Sequence, residues 1–525
     1  MSDPRRRLAF DPADASAAVS HGSAALAAGD GRAASLWLGA ASALDPARPD
    51  LAGPLQDLAS ALFSIGHPAP AARFWARALK GPGAADAGIW NNLGVALDHL
   101  GRLAEAGTVF RRAAALAPDG GAAFANLADL NFRAANFASA LTLARRAGQD
   151  AGALTTAGNA LLRLARPLEA AAQVRRALCL APEQVVGLTA RATAALAIED
   201  LATAGLWLAR ALAVRPDDVG ANNNLSTLHL TRGDLRRGFA LYEWRWRRPE
   251  SGRRREGLPE WRGEPLGGRT LLLYVEQGLG DALQMVRYAP LLARSGVRVV
   301  VECPSELRRL FSSLPGDVGL SLRGEPVQAD LQAAMMSLPW LCGTSFETLP
   351  SATPYLAAEP GLLRAFAPRF AAPGRHVGLV WQGNPRQVDE PHRSVPLACL
   401  APMLGQNGVT FHALQKDHGR DQMAALADPT VLVDQGPALV DLATTAAIMT
   451  HLDLVITPCT ATAHLAGALG RPVWIRLKRA PDWRWMLDRE DTPWYPTARL
   501  VRQRRPGDWG EVGMRLREMM SEWLG

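Results

Sequence analysis

Residues 90–106 read W-N-N-L-G-V-A-L-D-H-L-G-R-L-A-E-A, and Phe110, Ala113, Ala114 and Pro118 complete the unit. The unit recurs along the first half of the chain. Proline follows an alanine-rich helical stretch at Pro46, Pro82, Pro118, Pro182, Pro216 and Pro249, with gaps of 36, 36, 64, 34 and 33 residues. The long gap is close to two periods with one proline missing. A period near 34 predicts helix–turn–helix units, about seven of them between roughly residues 15 and 250. One helix pair cannot bury its apolar face alone, so neighbours stack into a superhelix with a concave groove.

Residue by residue, that copy resembles the tetratricopeptide pattern W-x-x-L-G … G-x-x-x-E-A … A … P. Other copies depart from it: Gly94 becomes Ala128 in the next unit, and Gly101 becomes Ala135. The position of Asn92 is taken by Asn126, Thr156, Ala190 and Asn224 in the following units. Asparagine carries both a donor and an acceptor, which suits an extended peptide backbone and equally suits local bridging between helices. Peptide-binding arrays, that of O-linked N-acetylglucosamine transferase included, use such an asparagine ladder. The resemblance implies that Asn92, Asn126 and Asn224 line a groove for an acceptor polypeptide.

Composition narrows the class. With 525 residues, 48% hydrophobic and 20% charged, the chain has length for several cores and is neither disordered nor fibrous. The net charge of +7 is modest, so nucleic-acid binding would need a local patch. The candidate patch, Arg245, Arg247 and Arg248 with Arg253 to Arg255, reads as a solvated linker because no aromatic ladder or zinc spacing accompanies it. Five scattered cysteines, never in C-x-x-C spacing, indicate neither a zinc site nor a disulfide frame. The opening residues lack an apolar core, and no run of 18 apolar residues occurs, so a cytoplasmic protein without a membrane span is expected.

Beyond an Arg- and Gly-rich linker at 251–268 the pattern changes. Arg269–Tyr274 is a short apolar strand, followed by the turn Glu276–Asp281, a helical run to Leu292 and a second strand at Val297–Val301. A further series of strands begins at His376–Trp381. It continues at Val409–Leu414, near Val431–Val433, at Leu454–Ile456 and at Val473–Ile475. Two parallel-sheet units predict two doubly wound domains, 269–370 and 371–525, with a cleft between. Gly278 and Gly280 allow a tight turn that presents N–H groups to an anion. A nicotinamide dinucleotide enzyme is a weaker alternative: the third fingerprint glycine is absent, although Glu302 stands where a ribose-binding acid would lie.

In open α/β sheets ligands sit outside the carboxyl ends of the strands. Those ends give Gln382-Gly383-Asn384, His392-Arg393-Ser394, Gln415-Lys416 and Thr457–His464. Thr460 and Ala461 at a helix start offer hydroxyl and N–H donors to a diphosphate, and His464 would add a charge-assisted contact. Arg393 and Lys416 are expected to converge on them. Trp483, Trp485 and Trp494 either wall the cleft or pack in the core.

The ordered set E-Q-G-L-G-D (276–281), G-L-V-W-Q-G-N-P (378–385), H-R-S-V-P-L (392–397), L-Q-K (414–416), A-H-L-A-G-A-L-G-R-P-V-W (463–474), D-W-R-W (482–485) and D-x-P-W-Y-P (491–496) spans nearly the whole second half. It resembles the module that ends bacterial tetratricopeptide proteins related to the ADP-heptose lipopolysaccharide heptosyltransferases. The resemblance implies an all-α tetratricopeptide superhelix followed by an α/β GT-B module of two Rossmann-like domains. It further implies a metal-independent, inverting glycosyltransferase with a nucleotide sugar as co-substrate and no resident cofactor. The acid such enzymes carry in the first βα loop falls on Asp281, as base or acceptor-positioning group, with helix capping as the plainer role. Donor binding falls on Gly278, Gly280, Gln382, Asn384, Arg393, Gln415, Lys416, Thr460, Ala461 and His464. One departure stands out. Cys459 replaces the acid that usually begins the A-H-L-A-G-A segment, which either alters donor chemistry or abolishes it.

The expectation is a protein O-glycosyltransferase acting on Ser/Thr of a polypeptide held by the array. Similar bacterial fusions modify flagellin, so flagellin is the expected acceptor. Two alternatives remain: a scaffold with a degenerate transferase half, and a transferase directed at glycan or lipid acceptors.

Overall fold

The computed structural model describes residues 15–248, 257–385 and 390–525. Pro249 and Arg253 to Arg255 lie outside the described residues, as does part of the expected linker. The chain divides into two compact units, Met1–Ala194 and Ala195–Gly525.

The described part of the first unit is a row of antiparallel helix pairs, from Ala15–Ala27 with Gly31–Leu44 to Ala151–Arg163 with Pro167–Leu180. Aspartates start several of these helices: Asp30, Asp86 and Asp150 accept from backbone N–H groups of the first turn. Within the pair that carries residues 90–106, Gly94 lets Phe110 in. A methyl group at Gly94 would lie 2.4 Å from that ring. The repeat is marked more regularly by a left-handed residue than by proline. The first helix of each pair ends at Gly29, Gly66, Gly101, Ala135 and Ala165, and in the second unit at Glu199 and Gly233, all with positive φ. The missing proline has a physical reason: the short helix Phe137–Arg146 closes through Gly148, also left-handed.

The second unit begins with the last helices of the array, Leu201–Val214, Val219–Thr231 and Leu235–Tyr242. It continues into two parallel sheets. The first comprises β1 (Thr270–Tyr274), β2 (Arg298–Cys303), β3 (Val318–Leu322) and β4 (Leu331–Ala334), in the order β3-β2-β1-β4. The second comprises β5 (Arg375–Leu379), β6 (Val409–Ala413), β7 (Leu432–Asp434), β8 (Leu454–Pro458), β9 (Val473–Leu477) and β10 (Ala498–Arg502), in the order β10-β9-β8-β5-β6-β7. Counted from its own first strand, each sheet runs 3-2-1-4, and the second extends to 3-2-1-4-5-6, the doubly wound order. β1, β8 and β9 are buried along their whole length, which is why they read as unbroken apolar runs.

Three strands escaped the sequence reading. β3 is half exposed at an edge, β4 is Leu-Gln-Ala-Ala, and β10 alternates with arginine. The compact division also falls earlier than the linker at 251–268. Leu230, Leu235 and Phe239 of the array share one hydrophobic cluster with Leu271 and Leu273 of β1 and with Trp485 and Trp494. Arg245 is no solvated linker residue. It is 9% exposed and bonds Glu243, Glu276 and Ser337. Together with the 2.7 Å bond from Gln277 Nε2 to Tyr242 Oη, it ties the end of the array to the turn after β1.

Candidate functional site

The turn after β1 and the turn after β8 each follow a strand beside the point where strand order reverses, where ligands bind in such sheets. Gly278 caps the helix Leu279–Met285, and its N–H donates to Asp281 Oδ2 at 3.0 Å. Thr460 caps the helix Ala461–Ala468 without a side-chain bond to it; its hydroxyl lies 3.5 Å from the Pro458 carbonyl and from Thr457 Oγ1. Ala463 N donates to the Thr460 carbonyl at 3.0 Å, and the Thr460 side chain takes neither the Ala461 nor the Thr462 N–H. The two turns touch. A methyl group at Gly280 would lie 3.0 Å from His464 Cδ2, 3.5 Å from Ala461 Cα and 3.6 Å from Ala461 N. Any side chain at Gly280 would press on the His464 ring.

Arg484 binds the turns together. Its guanidinium donates to Asp281 Oδ1, to Asp482 Oδ1 at 2.9 Å and to Gln284 Oε1 at 2.6 Å. Burial opposes its charge, but Asp482 and Asp281 outweigh burial and hold its pKa above the ordinary value. Asp281, expected as base or acceptor-positioning group or as a plain helix cap, is a capped and ion-paired carboxylate, one oxygen on Gly278 and the other on Arg484. The protein surroundings disfavour the Asp482 anion although its side chain is 39% exposed, yet Arg484 outweighs this and keeps its pKa below the usual carboxylate range.

His464 is buried, with Nδ1 2.9 Å from Tyr495 Oη and its ring stacked on Trp485 at 5.5 Å. Burial, reinforced by the charge of Arg484, pushes its pKa down to about 3. The charge-assisted contact expected of it is thus a neutral imidazole held in place. Cys459 Sγ accepts from Trp485 Nε1 at 2.9 Å, and burial followed by the charge of Asp482 pushes the thiol up to about 11. A neutral sulfur stands where the resemblance implies an acid, and it is no thiolate nucleophile. Trp485 and Trp494 are fully buried and Trp483 nearly so, hence core rather than cleft wall.

The remaining expected residues separate. Arg393 Nη1 donates to the Cys459 carbonyl at 3.1 Å and so reaches the turn after β8. Lys416 does not converge with it; its ammonium donates to the Val440 carbonyl at 3.2 Å. Gln415 is buried and saturated. Its oxygen accepts from Trp381 N and Gln382 N, and its amide donates to the Gln382 and His418 carbonyls, leaving nothing for a ligand. Gln382 Oε1 accepts from Gln422, and Asn384 is exposed on the same loop. In the array, Asn126 Nδ2 donates to Asn91 Oδ1 at 2.9 Å, so it bridges neighbouring repeats, while Asn92 beside it is half-buried. Asn224 belongs to the second unit and is also half-buried. Asp482 and Arg484, which organise the site, appeared in the sequence only as members of D-W-R-W. No local signal distinguishes them. Among the described residues, no group of three or more His, Cys, Asp or Glu has metal-holding geometry, and no helix is long and apolar enough to cross a membrane.

A tetratricopeptide repeat model matches residues 87–119, within the helix pairs described above. The chain is 26% identical over 513 residues to Protein FlbA of Caulobacter vibrioides, covering 82% of this chain and 84% of that one. Among solved structures, a tetratricopeptide repeat protein from Parabacteroides merdae matches with a TM-score of 0.36 and 15% identity, over 44% of this chain and 91% of that chain. The APC/C Cut9-Hcn1 hetero-tetramer matches with a TM-score of 0.34 and 17% identity, over 43% of this chain. The present chain spans 44% of that Cut9-Hcn1 chain, under half its length.

Proposed function

We propose that the chain is a protein O-glycosyltransferase: the repeat array holds a polypeptide, and the α/β module transfers a sugar from a nucleotide-sugar donor to its Ser/Thr hydroxyls. The observation that carries this reading is the meeting of two strand-order reversal points, with Gly280 against Ala461 and His464. Diphosphate oxygens suit the N–H groups of Ala461 and Thr462, which the Thr460 side chain does not cap, and the nearby guanidinium of Arg393. Flagellin is the first acceptor to test.

A second reading, a scaffold whose α/β half binds but does not transfer, is favoured by the neutral thiol of Cys459 and the committed oxygens of Asp281. Intact-mass analysis separates the two. Purified flagellin and other Ser/Thr-rich candidates are incubated with the chain and UDP-, ADP-, GDP- or CMP-linked sugars. Transfer adds one or more sugar masses. Unchanged masses across the whole panel sink the transferase reading and leave the scaffold.

A further inference from the structure

At the meeting of the two turns, one carboxylate keeps an oxygen uncommitted. Asp482 Oδ1 accepts from Arg484 N at 3.0 Å and from Arg484 Nη1 at 2.9 Å. Its Oδ2 receives no hydrogen bond among the described residues, and its side chain is 39% exposed against 7% for Arg484. Asp281, with both oxygens engaged, is 25% exposed. Arg484 and Trp485 fix the position of Asp482. Arg484 is anchored on Gln284 and Asp281, while Trp485 is fully buried, stacks on His464 and donates to Cys459. The three-residue turn Trp483–Trp485 therefore fixes Asp482 through Arg484, which reaches Asp281, and through Trp485, which reaches Cys459 and His464.

We propose that Asp482, rather than Asp281, is the carboxylate that takes the acceptor's proton. This rests on the transferase reading. The acceptor hydroxyl gives its proton to Asp482 Oδ2 as its oxygen bonds to the anomeric carbon. The bond from that carbon to the donor phosphate breaks, and the nucleoside diphosphate leaves with the electron pair, toward the N–H groups of the Ala461 turn. No oxidant, reductant or further reactant is needed. Asp281 is a positioning residue that holds Arg484, and Arg484 in turn orients Asp482.

Capping alone would also explain Oδ1, since Asp482 is the N-cap of its turn. Asparagine preserves that cap and the shape but removes the charge. The experiment uses the full chain with flagellin and UDP-N-acetylglucosamine, ADP-glucose and GDP-mannose, and reads nucleotide release and acceptor mass. Asp482→Asn is expected to lower kcat by about 100-fold or more, with donor KM and melting temperature little changed. It should also abolish the acid limb of the kcat/KM profile, and Asp482→Glu should restore part of the rate. Asp281→Asn should retain that limb. A rate for Asp482→Asn within about three-fold of wild type overturns the assignment while the transferase reading stands. So does a loss that only tracks a fall in melting temperature. A wild-type chain that releases no nucleotide and modifies nothing overturns the transferase reading itself, and this inference with it.

Discussion

β5 and β6 carry a buried histidine pair whose acid response follows from geometry. Arg369 Nη1 can only donate, so the Gln435 atom 2.9 Å from it is the oxygen, and Gln435 Nε2 faces His412 Nδ1 at 3.1 Å. His412 Nδ1 must then accept, and its Nε2 donates to His376 Nδ1 at 2.9 Å. His376 Nε2 in turn donates to the Ala372 carbonyl at 3.0 Å. Phe370 covers His412 at 4.8 Å and stacks on His451, while Asp453 receives the backbone N–H of His376. The His412 ring is held neutral, because a proton added at its Nδ1 would face the Gln435 amide N–H and find no acceptor. Burial, followed by the neighbouring His376, pushes the His412 pKa from 6.5 down to about 4. In the unfolded chain it returns near 6.5, so between those values the unfolded state binds the extra proton. Stability is fully present above about pH 6.5, falls as pH drops toward 4, and stops falling from this group below that. A depression of about 2.5 units corresponds to about 3 kcal/mol. His412→Gln keeps one acceptor and one donor in the relay but cannot titrate. Urea midpoints of both proteins measured from pH 7 to 4.5 should diverge, the variant losing less on acidification. Parallel curves would refute the relay.

Ala135→Gly and Ala165→Gly, at left-handed positions, should each raise the melting temperature, by the equivalent of about 1 kcal/mol; a fall would mean the turns are not left-handed. Arg476 is fully buried, burial pushes its pKa down to about 9, and while its Nη2 donates to the Val380 carbonyl, its Nε and Nη1 have no partner among the described residues. Arg476→Met is therefore expected to stabilise by about 1–3 kcal/mol in calorimetry, and marked destabilisation would reveal a counter-charge at this site. A methyl group at Gly467 would meet the Tyr495 ring at 2.3 Å, so Gly467→Ala should lose about 1–3 kcal/mol and broaden near-ultraviolet circular dichroism. An unchanged melting temperature would contradict that packing.

The array and the sheets were legible because their signals are periodic or contiguous: a unit near 34 residues, and strands buried on both faces. The strand-end loops followed from the same logic, since a parallel sheet puts its ligand turns at predictable places. What was illegible depends on tertiary placement. Gln415 looks like a ligand-binding amide until Trp381, Gln382 and His418 are seen to use all of it. Asp281 occupies the expected loop, but its availability is decided by Arg484, 203 residues further along. Asn126 lies on the expected helix, yet its partner Asn91 is offset by one residue from the equivalent position in the preceding repeat. Asp482 carries no motif of its own, and its open oxygen emerges only once Trp485 and Arg484 are locked on both sides.

That locking constrains how a diphosphate would enter. A methyl group added at Gly280 would stand 3.6 Å from Ala461 N, so a bulky diphosphate at the helix start competes for space with the turn after β1 and would enter as that turn draws back. Arg484 sets what gives way. It shares a turn with Asp482, two residues away, and reaches Asp281 across the gap. Asp281 and Gln284, both on the helix Leu279–Met285, hold Arg484 until the donor enters; drawing back would loosen both bonds, and the Asp281 carboxylate retains Gly278 and partial exposure to water. The bonds to Asp482 would survive, so Arg484 would not be left as a lone buried charge, which would otherwise cost several kcal/mol. The carboxylate that stays with the anion-accepting helix in the opened state is therefore Asp482, the one with the open oxygen.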